Sequence, residues 1–352
     1  MNKYTLTVLT IIIVCITSCQ PQPQSGALLT IPVDLSENKP AKLSEITEDI
    51  KKISLEFTDE SIIGRIEKVI YQNDHLIVLD GSRDNKVLVF DSKGKFIRKI
   101  GQKGQGPGEY TRIWDIAFDS KDKNIYIATS VNILCFNING VFVNECKINY
   151  AEYINFRDGD LNVFSTSLGE KVESGFLNQT KLYKMDKECN IADSLIVKSV
   201  YSSRLQIAAY PIKHYLSHVG EQTFVYYPVL TAEPIVRDTL YELRNNIMIP
   251  YLKLLFSDDG AVNSNNNKTK TLLNVWQSGM YVFASYDTKE GSFLFMHNLE
   301  TGRSANMLDG IEDDIHNNGK IIIAPLQDNY VYYHFDDETN EDNPDIYIVK
   351  LK

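Results

Sequence analysis

The chain has 352 residues, a hydrophobic content of 43% and a formal net charge of −10. A chain of this length can bury a sizeable core. The negative charge argues against a nucleic-acid partner, because phosphate binding requires a basic surface. The 20 tyrosines and 15 phenylalanines favour β-structure, since aromatic residues are enriched in strands.

The first residues have the pattern of a secretory signal. Lys3 supplies positive charge, and Leu6–Ile16 form an apolar stretch that matches a signal-peptide core and is too short to span a bilayer. The segment Ile16-Thr17-Ser18-Cys19 resembles a bacterial lipobox, in which the cysteine is lipidated and becomes the mature N-terminus. The alternative is an ordinary signal peptide with an incidental cysteine.

The lipobox resemblance predicts how the chain is divided. Residues 1–18 form a lipoprotein signal peptide, residues 19–27 comprise the lipidated Cys19 and a flexible tether, and residues 28–352 form a single domain. Several acyl chains on one residue anchor a protein stably to a membrane. Gln20 is not an aspartate, which by resemblance to Gram-negative lipoproteins favours the outer membrane. The predicted location is therefore the cell envelope.

Three further cysteines follow the predicted anchor, at positions 135, 146 and 189. An odd number leaves at least one thiol unpaired. A Cys135–Cys146 disulfide is disfavoured, because a hairpin turn at Asn137–Gly140 with a left-handed glycine places Cys135 opposite Val143. No Cys-x-x-Cys or His/Cys cluster indicates a zinc site.

An internal hairpin repeat runs through the rest of the chain. Each copy has an apolar strand, a short polar turn and a second strand rich in β-branched and aromatic residues. The six copies are Val69–Asp80, Ile116–Ala128, Tyr153–Ser165, His214–Tyr227, Leu272–Tyr286 and Ile321–Phe335.

A second type of hairpin lies between these copies. The turns Asp91–Gly94 and Asn137–Gly140 are equivalent and lie 137 − 91 = 46 residues apart. Asp or Asn opens such a turn, and Gly adopts the positive φ that closes it. The hairpins are Val87–Ile100, Ile133–Ile148, Lys181–Val197, Thr239–Leu254 and Phe293–Leu308. Two hairpins make one four-stranded antiparallel sheet, which is typical of a propeller blade.

The sixth blade has no second hairpin of its own. The C-terminal segment Ile346–Leu351 supplies its third strand, and Asp49–Phe57 alternates apolar and polar residues ahead of the first blade. We predict that a strand at about residues 49–57 pairs with the C-terminal strand and closes the ring, since closure removes exposed sheet edges. The predicted fold is all-β, a six-bladed β-propeller of four-stranded antiparallel blades.

One segment connects the chain to a known family. Ile100–Tyr110 reads IGQKGQGPGEY, follows FDSKGKFIRK and precedes an apolar strand. It resembles the signature of six-bladed β-propeller lipoproteins of Bacteroidetes-type bacteria, which are NHL-repeat-like propellers. The resemblance extends over nearly all of the domain and implies its fold. It implies little about function, because that family has no well-established general activity.

The topology divides the connections between two faces. Turns between strands 1 and 2 and between strands 3 and 4 of a blade lie on one face, here called the short-turn face. The other connections lie on the opposite, long-loop face, where binding usually resides. The long connections are Gly101–Asp115, Thr166–Thr180, Lys198–Ile212, Pro228–Asp238, Ser257–Thr271, Asp309–Gly319 and Asp336–Asp345. Insertions without function are the alternative interpretation.

The long-loop face carries the candidate ligand-binding residues, because Arg and aromatic side chains are common in binding hot spots. These are Arg83, Asp84, Arg112, Trp114, Arg204 and Tyr210. A solvated Arg112 and a packed Trp114 are the alternative. The glycine-rich loop at residues 101–109 is interpreted as a structural turn, because no helix follows it to form a phosphate site.

No catalytic residue, metal site or cofactor is predicted. His214 and His218 share one face of a strand without a carboxylate motif, and the acidic segment Asp336–Asp345 is a solvated loop in preference to a weak Ca²⁺ site. We expect a monomeric, non-catalytic module that binds a glycan, peptide or envelope protein. The alternatives are a lyase or metal-dependent hydrolase with its site at the central axis, and an accessory partner of an outer-membrane nutrient-uptake complex.

Overall fold

The computed structural model describes residues 28–35, 39–205, 214–230, 235–257, 268–335 and 342–352. These residues form the predicted six-bladed β-propeller, in which each blade has four antiparallel strands and one blade gains a fifth strand at its edge. Cys19, the predicted signal peptide and the whole tether lie outside the described residues, so the proposed division of the chain stays a prediction.

The strands follow one another blade by blade. The chain begins with β1 (Leu29–Val33), α1 (Leu43–Ile46) and β2 (Thr47–Ser54). Blade 1 is β3 (Ile66–Gln72), β4 (His75–Asp80), β5 (Lys86–Asp91) and β6 (Phe96–Ile100), followed by the short strands β7 (Gln102–Lys103) and β8 (Glu109–Tyr110). Blade 2 is β9 (Asp115–Asp119), β10 (Asn124–Ala128), β11 (Asn132–Asn137) and β12 (Phe142–Lys147). Blade 3 is β13 (Ala151–Arg157), β14 (Asp160–Val172), β15 (Gly175–Met185) and β16 (Ile191–Ser202).

The second half of the ring repeats this order. Blade 4 is β17 (Leu216–Val219), β18 (Gln222–Val225), β19 (Thr239–Arg244) and β20 (Ile247–Phe256). Blade 5 is β21 (Lys270–Ser278), β22 (Tyr281–Thr288), β23 (Gly291–Asn298) and β24 (Ser304–Leu308), followed by the small hairpin β25 (Ile311–Asp313) and β26 (Gly319–Ile321). Blade 6 is β27 (Ala324–Pro325), β28 (Tyr330–Phe335) and β29 (Asp345–Leu351), completed by β2.

The repeated turns are fixed by their first side chain, as the sequence predicts. Asp91 Oδ1 accepts the N–H groups of Lys93 at 2.8 Å and Lys95 at 2.9 Å. Asn137 Oδ1 accepts two equivalent N–H groups, both at 3.0 Å. Gly94 closes the first turn with φ of +86°, and a Cβ there would lie 2.0 Å from the Ser54 carbonyl oxygen. The turn therefore requires glycine both for its dihedral angle and for its contact with β2.

The ring is closed by the two ends of the domain, as predicted. Strand β2 pairs antiparallel with β29, from Thr47 opposite Leu351 to Ser54 opposite Asp345. The closing strand thus ends three residues before Phe57, which is 44% exposed. Its position is shifted from the predicted 49–57 to 47–54, because the chain leaves the sheet for the connection to blade 1.

An N-terminal segment that the sequence did not reveal covers the outer edges of two blades. Strand β1 adds a fifth, parallel strand to blade 4 by pairing with β20. Lys39 then bridges antiparallel to Asn306 of blade 5, and α1 leads into β2. In the described part of the chain, no helix is long and apolar enough to cross a membrane.

One predicted long connection, Thr166–Thr180, is wrong, and a second, Lys198–Ile212, begins later than predicted, with its residues 206–212 outside the described part of the chain. Residues 166–172 and 175–180 continue β14 and β15, and Lys198–Ser202 continues β16. Paired residues such as Thr166 and Thr180 satisfy their backbone groups within the sheet, so this segment is an extended hairpin rather than a loop. Blade 3 therefore projects further on the long-loop face.

The core lies between neighbouring blades. Six clusters of buried apolar side chains occupy the six blade–blade contacts. A disulfide joins Cys146 of blade 2 to Cys189 of blade 3, a pairing that the sequence did not suggest. Cys135 is a buried free thiol, which agrees with the expected unpaired cysteine.

Candidate functional site

The glycine-rich connection between blades 1 and 2 is folded around its own carboxylate. Glu109 accepts the Gly106 N–H at 2.8 Å and the Gln102 side-chain amide at 2.7 Å. These bonds lower the pKa of Glu109, with the Gly106 N–H as the largest cause. Strand β9 rather than a helix follows the connection. The loop is therefore a structural turn, as interpreted, and it places Lys103 and Arg112 at its two ends.

A groove of about 590 Å³ lies on the long-loop face where blades 1 and 2 meet. Its basic lining residues are Arg65, Arg83, Lys103 and Arg112, and its one acidic lining residue is Glu67. We call it the arginine groove. A cationic groove on a chain of net charge −10 attracts anionic groups selectively.

Contacts within the groove position its cations. The guanidinium of Arg112 lies 5.1 Å from the ring centroid of Trp114, within the range of a cation–π interaction. Arg65 Nη2 donates to Glu67 Oε2 at 3.0 Å and to the Gly81 carbonyl at 2.7 Å. Both Arg83 and Arg112 are exposed, so their planar guanidinium groups can meet a ligand.

The backbone beneath the groove is rigidly held. Asp80 accepts the N–H groups of Arg65 at 3.2 Å and Ser82 at 2.9 Å. Asn85 Oδ1 accepts the Ile113 N–H at 2.5 Å, which ties the two blades together. A Cβ at Gly81 would lie 2.5 Å from Glu67 Oε2, so glycine permits the close approach. The site is therefore formed before any ligand arrives.

The central axis is occupied by a buried ion pair. Lys68 Nζ lies 2.9 Å from both carboxylate oxygens of Asp115 and donates to the carbonyls of Ile116 at 2.9 Å and Ile154 at 3.2 Å. It also lies 4.5 Å from the ring centroid of Tyr153. The described residues include no group of three or more His, Cys, Asp or Glu that could hold a metal ion.

A comparison with protein families identifies the family of this chain. The family described as Domain of unknown function DUF4934 matches residues 28–350. The chain belongs to this family. No match is found among curated proteins.

Solved structures share the fold of this DUF4934 propeller. A protein of Bacteroides fragilis whose export is inferred has a TM-score of 0.67 and 18% identity, covering 92% of this chain and 99% of that chain. A DUF4221 member from Bacteroides vulgatus has a TM-score of 0.52 and 11% identity, covering 90% of this chain and 98% of that chain. At such identities the likeness establishes the fold alone.

The structure of the DUF4934 propeller brings together half of the predicted site residues. Arg83, Arg112 and Trp114 line the arginine groove. Asp84 is exposed beside Arg83 but does not line it. Tyr210 lies outside the described residues, as does most of the acidic segment considered for Ca²⁺.

Arg204 lies elsewhere, at the end of the blade 3 extension. Its N–H donates to Ser202 Oγ at 3.3 Å, and the neighbouring Tyr201 and Leu205 are 52% and 53% exposed. It belongs to a second, more apolar part of the long-loop face and does not contribute to the groove.

Sequence reasoning missed Arg65, Glu67 and Lys103. A signal for Arg65 was present, because Arg-Ile occurs both at 65–66 and at 112–113, a spacing of 112 − 65 = 47 residues that matches the repeat. Nothing local marked Lys103, whose ammonium group is directed back to the Arg83 carbonyl at 2.9 Å.

Proposed function

We propose that this protein is a lipid-anchored envelope module that binds an anionic ligand in the arginine groove without transforming it. The observation that carries the proposal is the exposed Arg112 seated on Trp114, beside three further cations and one acid. Arg presents parallel N–H donors that match carboxylate geometry, and its charge does not depend on pH. The ligand class is therefore a glycan, peptide or protein segment that carries carboxylates.

The disulfide supports a location outside the cytoplasm. A bridge between Cys146 and Cys189 is typical of exported proteins, because cytosolic thiols are kept reduced. The predicted signal sequence and lipobox at Cys19 agree with this location and add a membrane anchor.

The direction of β1 supports an orientation for such an anchored protein. Strand β1 runs parallel to β20, with Leu29 opposite Leu252 and Val33 opposite Phe256. Since β20 runs from the short-turn face to the long-loop face, the chain before Leu29 is directed towards the short-turn face. Cys19 lies nine residues before Leu28, a span of about 30 Å at most. The short-turn face would then face the membrane, leaving the arginine groove open to ligand.

A matched pair of probes tests the groove. Oligogalacturonate and its methyl-esterified form differ chiefly in charge, and a Glu-rich peptide and its Gln-rich counterpart are matched closely in size and differ chiefly in charge. We expect at least one charged probe to bind in a salt-dependent manner by calorimetry, with its uncharged partner at least tenfold weaker. Arg83→Ala combined with Arg112→Ala should weaken that binding about tenfold or more.

The control removes the same charge from the opposite face, through Lys93→Ala combined with Lys121→Ala. Both lysines are exposed, and this variant should bind as the unaltered chain does. Equal binding of charged and uncharged probes, or equal losses in the two double variants, would contradict the groove. The anchor is tested separately, by mass spectrometry of the mature N-terminus: an unmodified residue other than Cys19 would disprove lipidation.

A further inference from the structure

A second cavity lies at the central axis and is chemically unlike the arginine groove. It has a volume of about 190 Å³ and is lined by residues of blades 1, 4, 5 and 6 together with the connection that enters blade 6. The lining residues that matter here are Glu67, His214, Asn274, Trp276, Tyr332 and Tyr333. We call it the axial cavity.

Two buried side chains of this cavity have polar atoms without a partner. Asn274 is 1% exposed and Trp276 is 2% exposed. Within the described part of the chain, Asn274 Nδ2, Asn274 Oδ1 and Trp276 Nε1 have no hydrogen-bond partner. Buried polar groups are almost always hydrogen-bonded, because leaving them unpaired is costly. The side chains that line the cavity therefore hold two donor atoms and one acceptor atom that are buried and unmet.

A β-bulge marks the position of Asn274. The register of β21 against β22 shifts between Leu272 and Asn274, and equivalent bulges in blades 1 and 3 precede Lys68 and Tyr153. In blade 1, Lys68 at the equivalent position is fully engaged with Asp115 and two carbonyls. Bulges commonly orient side chains next to functional sites. Unlike Lys68, Asn274 has no side-chain hydrogen-bond partner among the described residues, and a ligand would supply one.

The lining favours a neutral ligand over a charged one. Of the described residues that line the axial cavity, none is Lys or Arg, and Glu67 opposes an anion. Burial, assisted by the charge of Lys68, lowers the pKa of His214 to about 3, so its imidazole is neutral at pH 7. A cationic amine offers no acceptor to the Asn274 and Trp276 N–H groups. A ligand with hydroxyl groups supplies both donors and acceptors.

We propose that the axial cavity binds one neutral, hydroxylated ring, such as a single monosaccharide unit. Its volume equals about six water molecules at roughly 30 Å³ each, which suits one ring and not a longer chain. Trp276 is held by stacking on Phe283 at 5.3 Å, and Tyr332 and Tyr333 line the cavity beside it. The ring is either a free sugar or the end of a glycan.

The two tryptophans of the chain make the site measurable. Trp114→Phe leaves Trp276 as the sole tryptophan, so its emission reports the axial cavity alone. Glucose, galactose, mannose and N-acetylglucosamine are titrated as free sugars and as methyl glycosides. We expect a saturable change in emission for at least one of them. Binding of the free sugar but not of its glycoside assigns a free ligand, and binding of both assigns a glycan end.

Asn274→Leu removes the unmet amide at similar volume. In the Trp114→Phe background it should weaken the response about tenfold or more, because two ligand hydrogen bonds are lost, without lowering the thermal midpoint. The matched control is Trp276→Phe with Trp114 retained, which should show no response. Absence of a saturable change with every sugar, or an equal response in Asn274→Leu, would overturn the proposal.

A measurement on the unaltered chain covers the case in which Asn274→Leu fails to fold. Crystals soaked in the sugar that gives the largest response should show density for a ring against Asn274. Density for water molecules alone would overturn the proposal. Failure here leaves the arginine groove untouched, since its test uses charged probes and different residues.

Discussion

The buried pair of Lys68 and Asp115 is expected to be the most sensitive point of the ring. Their side chains are 11% and 2% exposed, so a partner left alone would be a charge without solvent. Removing one member of a buried pair typically destabilises a protein by about 3–5 kcal/mol. We therefore expect Lys68→Met and Asp115→Asn each to lower the free energy of unfolding by about that amount. Asp115 accepts the Ile154 N–H at 2.7 Å, and the amide introduced by Asp115→Asn would retain an oxygen for this bond. The loss of stability in that variant therefore reports the loss of the negative charge.

The double variant separates pairing from other effects. Because Lys68→Met combined with Asp115→Asn leaves no unpaired charge, its cost should fall below the sum of the single costs by about 2 kcal/mol or more. Guanidinium unfolding followed by circular dichroism gives the free energy of unfolding of the unaltered chain, the two single variants and the double variant. Lys52→Met is the control, since its ion pair with Asp345 is 47% and 29% exposed and should contribute less than about 1 kcal/mol. Additive losses, or single losses as small as that of the control, would refute the reasoning.

Three further changes test closure, the disulfide and titration. Deleting Tyr347–Lys352 removes most of β29 and should abolish cooperative thermal unfolding, whereas a sharp transition like that of the intact chain would contradict the closure argument. Cys146→Ser with Cys189→Ser opens a loop with a sequence separation of 43 and should cost about 3–4 kcal/mol in denaturant unfolding; a loss below about 1 kcal/mol would argue against a formed bridge. Burial, reinforced by the charge of Arg157, lowers the pKa of His218 from 6.5 to about 3. The unfolded chain then binds the extra proton, so His218 alone should lower stability as pH drops below 6.5, by about 2 kcal/mol at pH 5. His214, whose pKa is lowered in the same way, adds a similar dependence, so His218→Gln should reduce the slope between pH 6.5 and 5 by about half and not abolish it. An unchanged slope would count against the assignment.

The parts of the fold that the sequence predicts are those specified by local chemistry. The turns opened by Asp91 and Asn137 are encoded by four consecutive residues each, so their spacing reveals the blades. Closure follows from counting strands, because one blade lacked a strand and the segment near Ile53 had no other partner.

The parts that the sequence could not predict depend on contacts between distant segments. Strand β1 pairs with β20 across more than half of the chain, and its five residues carry no periodic signal of their own. The partner of Cys146 is set by how blade 3 stands against blade 2, which no spacing reveals. The extended hairpin of blade 3 alternates polar and apolar residues weakly, with Thr166 and Thr180 buried as polar side chains.

Both candidate sites lie where the side chains differ between equivalent positions of the blades. Arg65 lies three residues before Lys68, and Arg112 lies three residues before Asp115, so both pairs recur at 47 residues. The equivalent positions in blades 3 and 5, counted back from Tyr153 and Asn274, are Tyr150 and Thr271. The backbone therefore repeats around the ring while the cations occur where blades 1 and 2 meet. Because the backbone repeats around the ring while the cations and Asn274 do not, we infer that the groove and the axial cavity are where ligand specificity resides.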